Sequence, residues 1–110
     1  MPDVHPNFIT SKTVRAELSF LSLKKPDQNH TLKNKIVLIE NADPGYDWIF
    51  SHDIAGLITK YGGIASHMSI RAAEFGLPSA IGCGESIFDQ LLAASKIELN
   101  CAAQQINTLE

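Results

Sequence analysis

The segment Lys35-Ile36-Val37-Leu38-Ile39-Glu40 constrains the fold of this chain more than any other. Its four central residues are aliphatic and mostly β-branched, with no polar residue alternating between them. Such a run suits a strand whose two faces are both covered by protein, as in the interior of a parallel sheet. It is far too short for a membrane span, which takes about 20 apolar residues as a helix. Asn41-Ala42-Asp43-Pro44-Gly45 supplies turn chemistry directly after it.

The remaining periodicities place other elements around this strand. Val14, Ala16, Leu18 and Phe20 alternate with Arg15, Glu17 and Ser19, the period of a half-buried strand. Residues 1–7 read as a loose lead-in, and Lys24 to Asn34 as a turn or exposed loop. Tyr46-Asp47-Trp48-Ile49-Phe50 reads as one or two helical turns, and Ala55 to Thr59 as a second short strand that ends at Gly62-Gly63. Ser66 to Phe75 reads as a helix, because Met68, Ala72 and Phe75 recur at i, i+4 and i+7. Gly76 stands where a helix-terminating glycine belongs, with Pro78 beyond it. Ser79 to Ile81 reads as a strand. Ser86 and Asp89 resemble a capping box opening a helix that buries Ile87, Phe88, Leu91 and Leu92. Lys96 to Asn100 alternates as a strand, and a last one includes Ile106. Strands and helices mixed in this way predict one α/β (α+β) domain over residues 1–110. The terminal residues 109–110 are set aside as a possible cloning scar.

Composition narrows the function. A net charge of −3 with nine scattered Lys and Arg residues offers no basic stripe for nucleic acid. The start, Met1-Pro2-Asp3-Val4-His5-Pro6, has neither the basic residues nor the apolar stretch of a signal peptide, so a cytoplasmic setting without membrane partners is expected. Cys83 and Cys101 match no metal or redox spacing and read as buried free thiols. His52, His67 and Cys83 likewise lack ligand spacing, so no metal site is expected. His5, His30 and His52 read as surface or otherwise satisfied residues.

Chemistry concentrates between residues 62 and 74. Gly62 and Gly63 permit unusual backbone angles and the close approach of another group, and they lead into a helix whose first turn holds Ser66 and His67. Unpaired N–H groups there attract anions. His67, Arg71 and Glu74 form a stripe displaced by one position from the apolar one, hence on an exposed edge. A neutral imidazole can attack phosphorus. The helix N-terminus and the Arg71 cation both favour an uncharged ring, and Arg71 could pair with phosphoryl oxygens. Ser66 could cap the helix or donate its hydroxyl to phosphate. Taken alone, a single helix histidine is more often structural, so this constellation leaves both readings open.

The string GGIASHMSIRAAEFGLPSAIG, from Gly62 to Gly82, resembles the signature of the mobile phosphohistidine domain of phosphoenolpyruvate-utilising enzymes. Asp43-Pro44 through Trp48 is similar to that family's DP-x-W loop, and Ala55 to Thr59 to one of its strands, so the likeness covers about residues 35 to 107. It implies a swivelling β/β/α fold and a phosphohistidine at His67, assisted by Arg71 and Ser66, with Gly62, Gly63 and Glu74 shaping the loop and helix. Three features depart from the family pattern. Ala65 stands where dikinases carry a regulatory threonine. Ala73 stands at the family's arginine position, with Arg71 two residues earlier, and Phe8 to Leu23 fits the pattern poorly.

The resemblance implies a domain of a larger phosphotransferase similar to phosphoenolpyruvate synthase and pyruvate phosphate dikinase. His67 would shuttle a phosphoryl group between an ATP-binding domain and an acceptor site, as for pyruvate. ATP and magnesium would belong to those partner domains, since this chain has no P-loop or acidic metal cluster and needs no cofactor of its own. Two alternatives remain: a carrier loaded from phosphoenolpyruvate for transfer to a protein, and a degenerate interaction module that keeps only the fold.

Overall fold

The computed structural model describes residues 6–21 and 32–109. His5, His30, most of the Lys24–Asn34 loop and Glu110 lie outside these residues. The strands are β1 (Asn7–Ile9), β2 (Thr13–Phe20), β3 (Ile36–Asn41), β4 (Gly56–Tyr61), β5 (Ser79–Ile81), β6 (Lys96–Asn100) and β7 (Gln105–Thr108). A 3₁₀ helix (Pro44–His52) follows β3. Helix α1 (His67–Glu74) follows β4, and helix α2 (Gly84–Leu92) follows β5.

The strands join in one sheet in the order β1-β5-β4-β3-β2-β6-β7. β2 through β5 run parallel, while β1, β6 and β7 pair antiparallel to their neighbours. β2 is shared along its length: Thr13 to Glu17 pair with β6, and Leu18 to Phe20 with β3. The sheet curls through that strand, giving a mixed α/β architecture.

β3 is buried on both faces, as its composition requires. Val37 and Ile39 enter a core with the 3₁₀ helix and α1, where they meet Ile49, Leu57, Met68, Ala72 and Ile81. Ile36 and Leu38 enter a second core with α2 and β6, where they meet Ile58, Ala80, Phe88, Leu91, Ile97 and Leu99. Cys83 and Cys101 are free thiols buried in this second core. Alternation along β3 therefore holds two layers onto one sheet.

Several local expectations need correction. Asn7 is not lead-in but the first residue of β1, paired opposite Ile81. The 3₁₀ helix is longer than one or two turns. Asp43 caps it by accepting the Gly45 N–H at 2.8 Å, and Pro44 begins it. Helix α2 begins at Gly84, and the Ser86–Asp89 capping box does not form. The Thr59 carbonyl takes the N–H groups of both Gly82 and Cys83, which turns the chain into α2 before Ser86 is reached. Leu92 and Phe75 are about half exposed rather than buried. In β2, Ser19 is buried and Phe20 partly exposed, because the strand changes partners there; Phe20 keeps an edge contact with Phe88. The Leu109 N–H, directly after β7, bonds to the Lys96 carbonyl at 2.8 Å.

Helix α1 ends as its sequence dictates. Gly76 adopts φ +62°, its N–H bonds to Ala73, and the Leu77 N–H bonds to Ala72. These two bonds form a Schellman motif that Gly76 makes sterically cheap.

Candidate functional site

Side chains gather at the carboxyl ends of β3 and β4, where open parallel sheets form their crevices. The two strands are in register up to Asn41 and Tyr61. The 3₁₀ helix and α1, which follow them, therefore lie side by side.

Gly62 and Gly63 make the entry to α1, and they differ. Gly62 has φ +128°, and a Cβ there would fall 2.6 Å from the Cβ of Ala42, so only glycine fits. A Cβ on Gly63 would meet nothing within 4 Å. The space beside Gly63 is open to whatever approaches the start of α1. The loop is braced from below by the buried Thr59 hydroxyl, which donates to the Tyr61 carbonyl and accepts from the Gly82 N–H, each at 2.9 Å. Gly82, at φ +76°, lies against the Gly62 carbonyl so closely that a side chain there would clash.

Ser66 is the N-cap of α1, and its Oγ accepts the Ser69 N–H at 3.4 Å. The hydroxyl proton stays available to a second acceptor. His67 is the first helical residue, its side chain 39% exposed. Arg71 and Glu74 follow on the same face and are linked, Arg71 Nη1 donating to Glu74 Oε1 at 3.4 Å. Met68 and Ala72 on the opposite face are fully buried. The stripe expected to lie outward thus does so: His67, Arg71 and Glu74 share the outward face of α1, with Gly62, Gly63 and Ser66 at its entry.

Sequence reasoning missed one member. Asp47, on the 3₁₀ helix, lies with Oδ1 2.8 Å from Nε2 of His67, and the same oxygen accepts Nε–H of Arg71 at 3.0 Å. The nearest charged group to the imidazole is thus a carboxylate, where the sequence had suggested the Arg71 cation. Hydrogen bonding to His67, helped by Arg71, holds the Asp47 carboxyl below its ordinary range. The bond to Asp47 raises Arg71 in turn. A signal for Asp47 did exist: it immediately precedes Trp48 in the segment that resembles the DP-x-W loop.

An aromatic contact closes the other end of the helix pair. Phe50 and Phe75 stack with centroids 5.2 Å apart, and the Arg71 guanidinium lies 5.0 Å from the Phe75 ring. Arg71 is thus held by two carboxylates and an aromatic face. Phe75, though half exposed, still joins α1 to the 3₁₀ helix.

Among the described residues, no three His, Cys, Asp or Glu side chains gather in a way that could hold a metal ion. Asp47 and Glu74 are engaged by Arg71, so these residues do not fit a magnesium site. None of the described helices is long and apolar enough to cross a membrane.

Fold and site together define a mixed α/β domain with a histidine at a helix N-terminus beside an open glycine loop. The family model of the PEP-utilising enzyme mobile domain matches residues 31–104, and the chain belongs to that family. Phosphoenolpyruvate synthase of Aquifex aeolicus (strain VF5) is 29% identical over 90 residues, covering 82% of this chain but 10% of that protein. The chain thus spans about a tenth of the length of this relative. The solution NMR structure of a UPF0107 protein superposes with a TM-score of 0.68 over 96% of this chain and 98% of that one, at 12% identity, a likeness of fold.

Proposed function

We propose that this chain is the phosphohistidine carrier domain of a phosphotransferase similar to phosphoenolpyruvate synthase, with His67 as the nucleophile that holds the phosphoryl group in transit. The observation that carries this reading is His67 itself: half-exposed, first in its helix, beside the open space at Gly63. The free N–H groups of that helix end favour an arriving anion.

The chemistry runs as follows. A neutral imidazole nitrogen of His67 attacks phosphorus, and the N–P bond forms as the donor's P–O bond breaks. The departing oxygen keeps that electron pair. Arg71 supplies positive charge to the phosphoryl oxygens, and the Ser66 hydroxyl has a proton to donate to one of them. The reverse step returns the group to an acceptor oxygen, as on pyruvate, held by another part of the parent protein. ATP is the donor we favour, with its magnesium bound outside this chain, since no described cluster here fits the metal. Rigid-body swivelling of the domain between the two sites supplies the transport. In this reading the 110 residues are one domain of a larger cytoplasmic enzyme.

The test supplies the parent protein with phosphorus-labelled ATP and magnesium, or with labelled phosphoenolpyruvate. Label that is acid-labile, stable in base and absent from His67→Ala supports the carrier. A folded protein that takes label from neither donor contradicts it and leaves the fold as an interaction module. Label from phosphoenolpyruvate alone replaces the donor.

A further inference from the structure

We propose that Asp47 is a latch on the histidine: in the unloaded domain its carboxylate occupies Nε2 of His67 together with Arg71, and a phosphoryl group arriving on Nε2 displaces it and takes over Arg71. This inference rests on the carrier reading of His67.

The geometry is of one acceptor with two donors. Oδ1 of Asp47 lies 2.8 Å from Nε2 of His67 and 3.0 Å from Nε of Arg71. An ionised carboxylate only accepts, so Nε2 must carry a proton while the contact lasts. The lone pair of a neutral ring then sits on Nδ1, beside the helix backbone. Nε2 is the ring nitrogen farthest from the backbone, the one a donor on another domain can best reach, and it is the one that Asp47 covers.

Transfer to Nε2 therefore requires release. The proton on Nε2 passes to solvent, Nδ1 takes one up, and the freed lone pair attacks phosphorus. The N–P bond forms, the donor's P–O bond breaks with its electron pair leaving on oxygen, and Nδ1 keeps its proton. The new phosphoryl group is anionic and lies where the Asp47 carboxylate had been. Two anions cannot share that place without repulsion, and Arg71 is better used by the phosphoryl oxygens. Asp47 is free to withdraw, because its side chain is 42% exposed and it stands on a 3₁₀ helix, whose hydrogen bonds are the weaker kind. Glu74, on the other side of Arg71, keeps the guanidinium in place during the exchange.

The experiment uses the 110-residue chain labelled with ¹⁵N in its histidines and arginines, with phosphoramidate as donor, whose P–N bond takes the place of the P–O bond and breaks as ammonia leaves, and NMR of the His67 ring nitrogens as readout. The resting wild type should show the proton on Nε2, and Asp47→Ala should lose that preference. The phosphoryl group should appear on Nε2 in both, and the Arg71 Nε–H signal of the wild type should move as it does. Phosphorylation of Asp47→Ala should be faster by roughly two- to fivefold, the scale carried by an exposed charged pair. Asp47→Asn, which keeps an acceptor without charge, should fall between them and guards against misfolding of the alanine variant. A phosphoryl group on Nδ1 with the proton retained on Nε2 would overturn the latch. So would an equal or slower rate in Asp47→Ala, or no phosphohistidine in any form. Phosphoramidate needs no other domain, so this outcome is separable from whether a nucleotide or phosphoenolpyruvate loads His67 in the parent protein.

Discussion

Asp47 and His67, twenty residues apart in sequence, meet at 2.8 Å because β3 and β4 are parallel neighbours whose ends lie in register. This contact, shared by Arg71, is the polar half of the seam between the 3₁₀ helix and α1, and the Phe50–Phe75 stack is the apolar half. A seam built in this way responds to acid. Asp47 ionises below its ordinary 3.8, so the folded state binds fewer protons there than the unfolded chain. Its contribution is complete above that pH and is lost as pH falls through the lower folded value. Fluorescence of Trp48, the chain's single tryptophan and the neighbour of Asp47, should show a step as pH falls below that region in wild type, and Asp47→Asn should lack that step.

Arg71→Ala should slow the gain of phosphate at His67, because the phosphoryl oxygens lose the cation nearest to them. The variant should unfold at only a slightly lower denaturant concentration than wild type, since its ion pairs are partly solvated and such pairs contribute little to stability. Parallel phosphorylation kinetics and urea titrations separate the two effects, and unchanged kinetics would remove Arg71 from the mechanism.

The glycines before α1 should behave oppositely. Gly62→Ala forces a Cβ into Ala42 at φ +128°, a strain of about 1–3 kcal/mol. Gly63→Ala meets open space and should change stability by no more than about 0.5 kcal/mol. Urea unfolding of the two variants measures the difference.

Ser66→Ala removes the side-chain cap of α1 and should cost about 0.5–1 kcal/mol, with Ser66→Gly recovering most of it. The 3.4 Å bond to the Ser69 N–H places the expected loss toward the lower end of the usual range. Chemical denaturation of the three proteins provides the comparison.

What the sequence made legible was local. The apolar run at Ile36–Ile39, the α1 stripe and the Gly76 terminus all encode their structure within a few residues, so reading them needs no knowledge of distant partners. β1 was invisible because three residues near the start gain their strand character only by pairing with β5, seventy or more residues on. The start of α2 was misplaced because a carbonyl on β4, not a side chain next to the helix, decides where the chain turns. Asp47 was missed for the same reason: its partners arrive through strand register, which periodicity does not report.

The buried thiols offer an independent check of the second core. Burial pushes Cys83 up to about 11 and raises Cys101 as well. At pH 8 both should resist a soluble thiol reagent in the folded chain and react at once in denaturant. Rapid reaction of either without denaturant would mean that the α2 layer opens.

The most direct test of the central claim is to map the phosphoryl group itself. The parent protein, incubated with ATP and magnesium, is digested at alkaline pH, and the peptide containing His67 is sequenced by mass spectrometry beside a His67→Ala control. The expected result is an acid-labile phosphoryl group on His67, absent from the control. A phosphoryl group on a different residue, or one that persists in His67→Ala, would contradict the assignment of His67 as carrier.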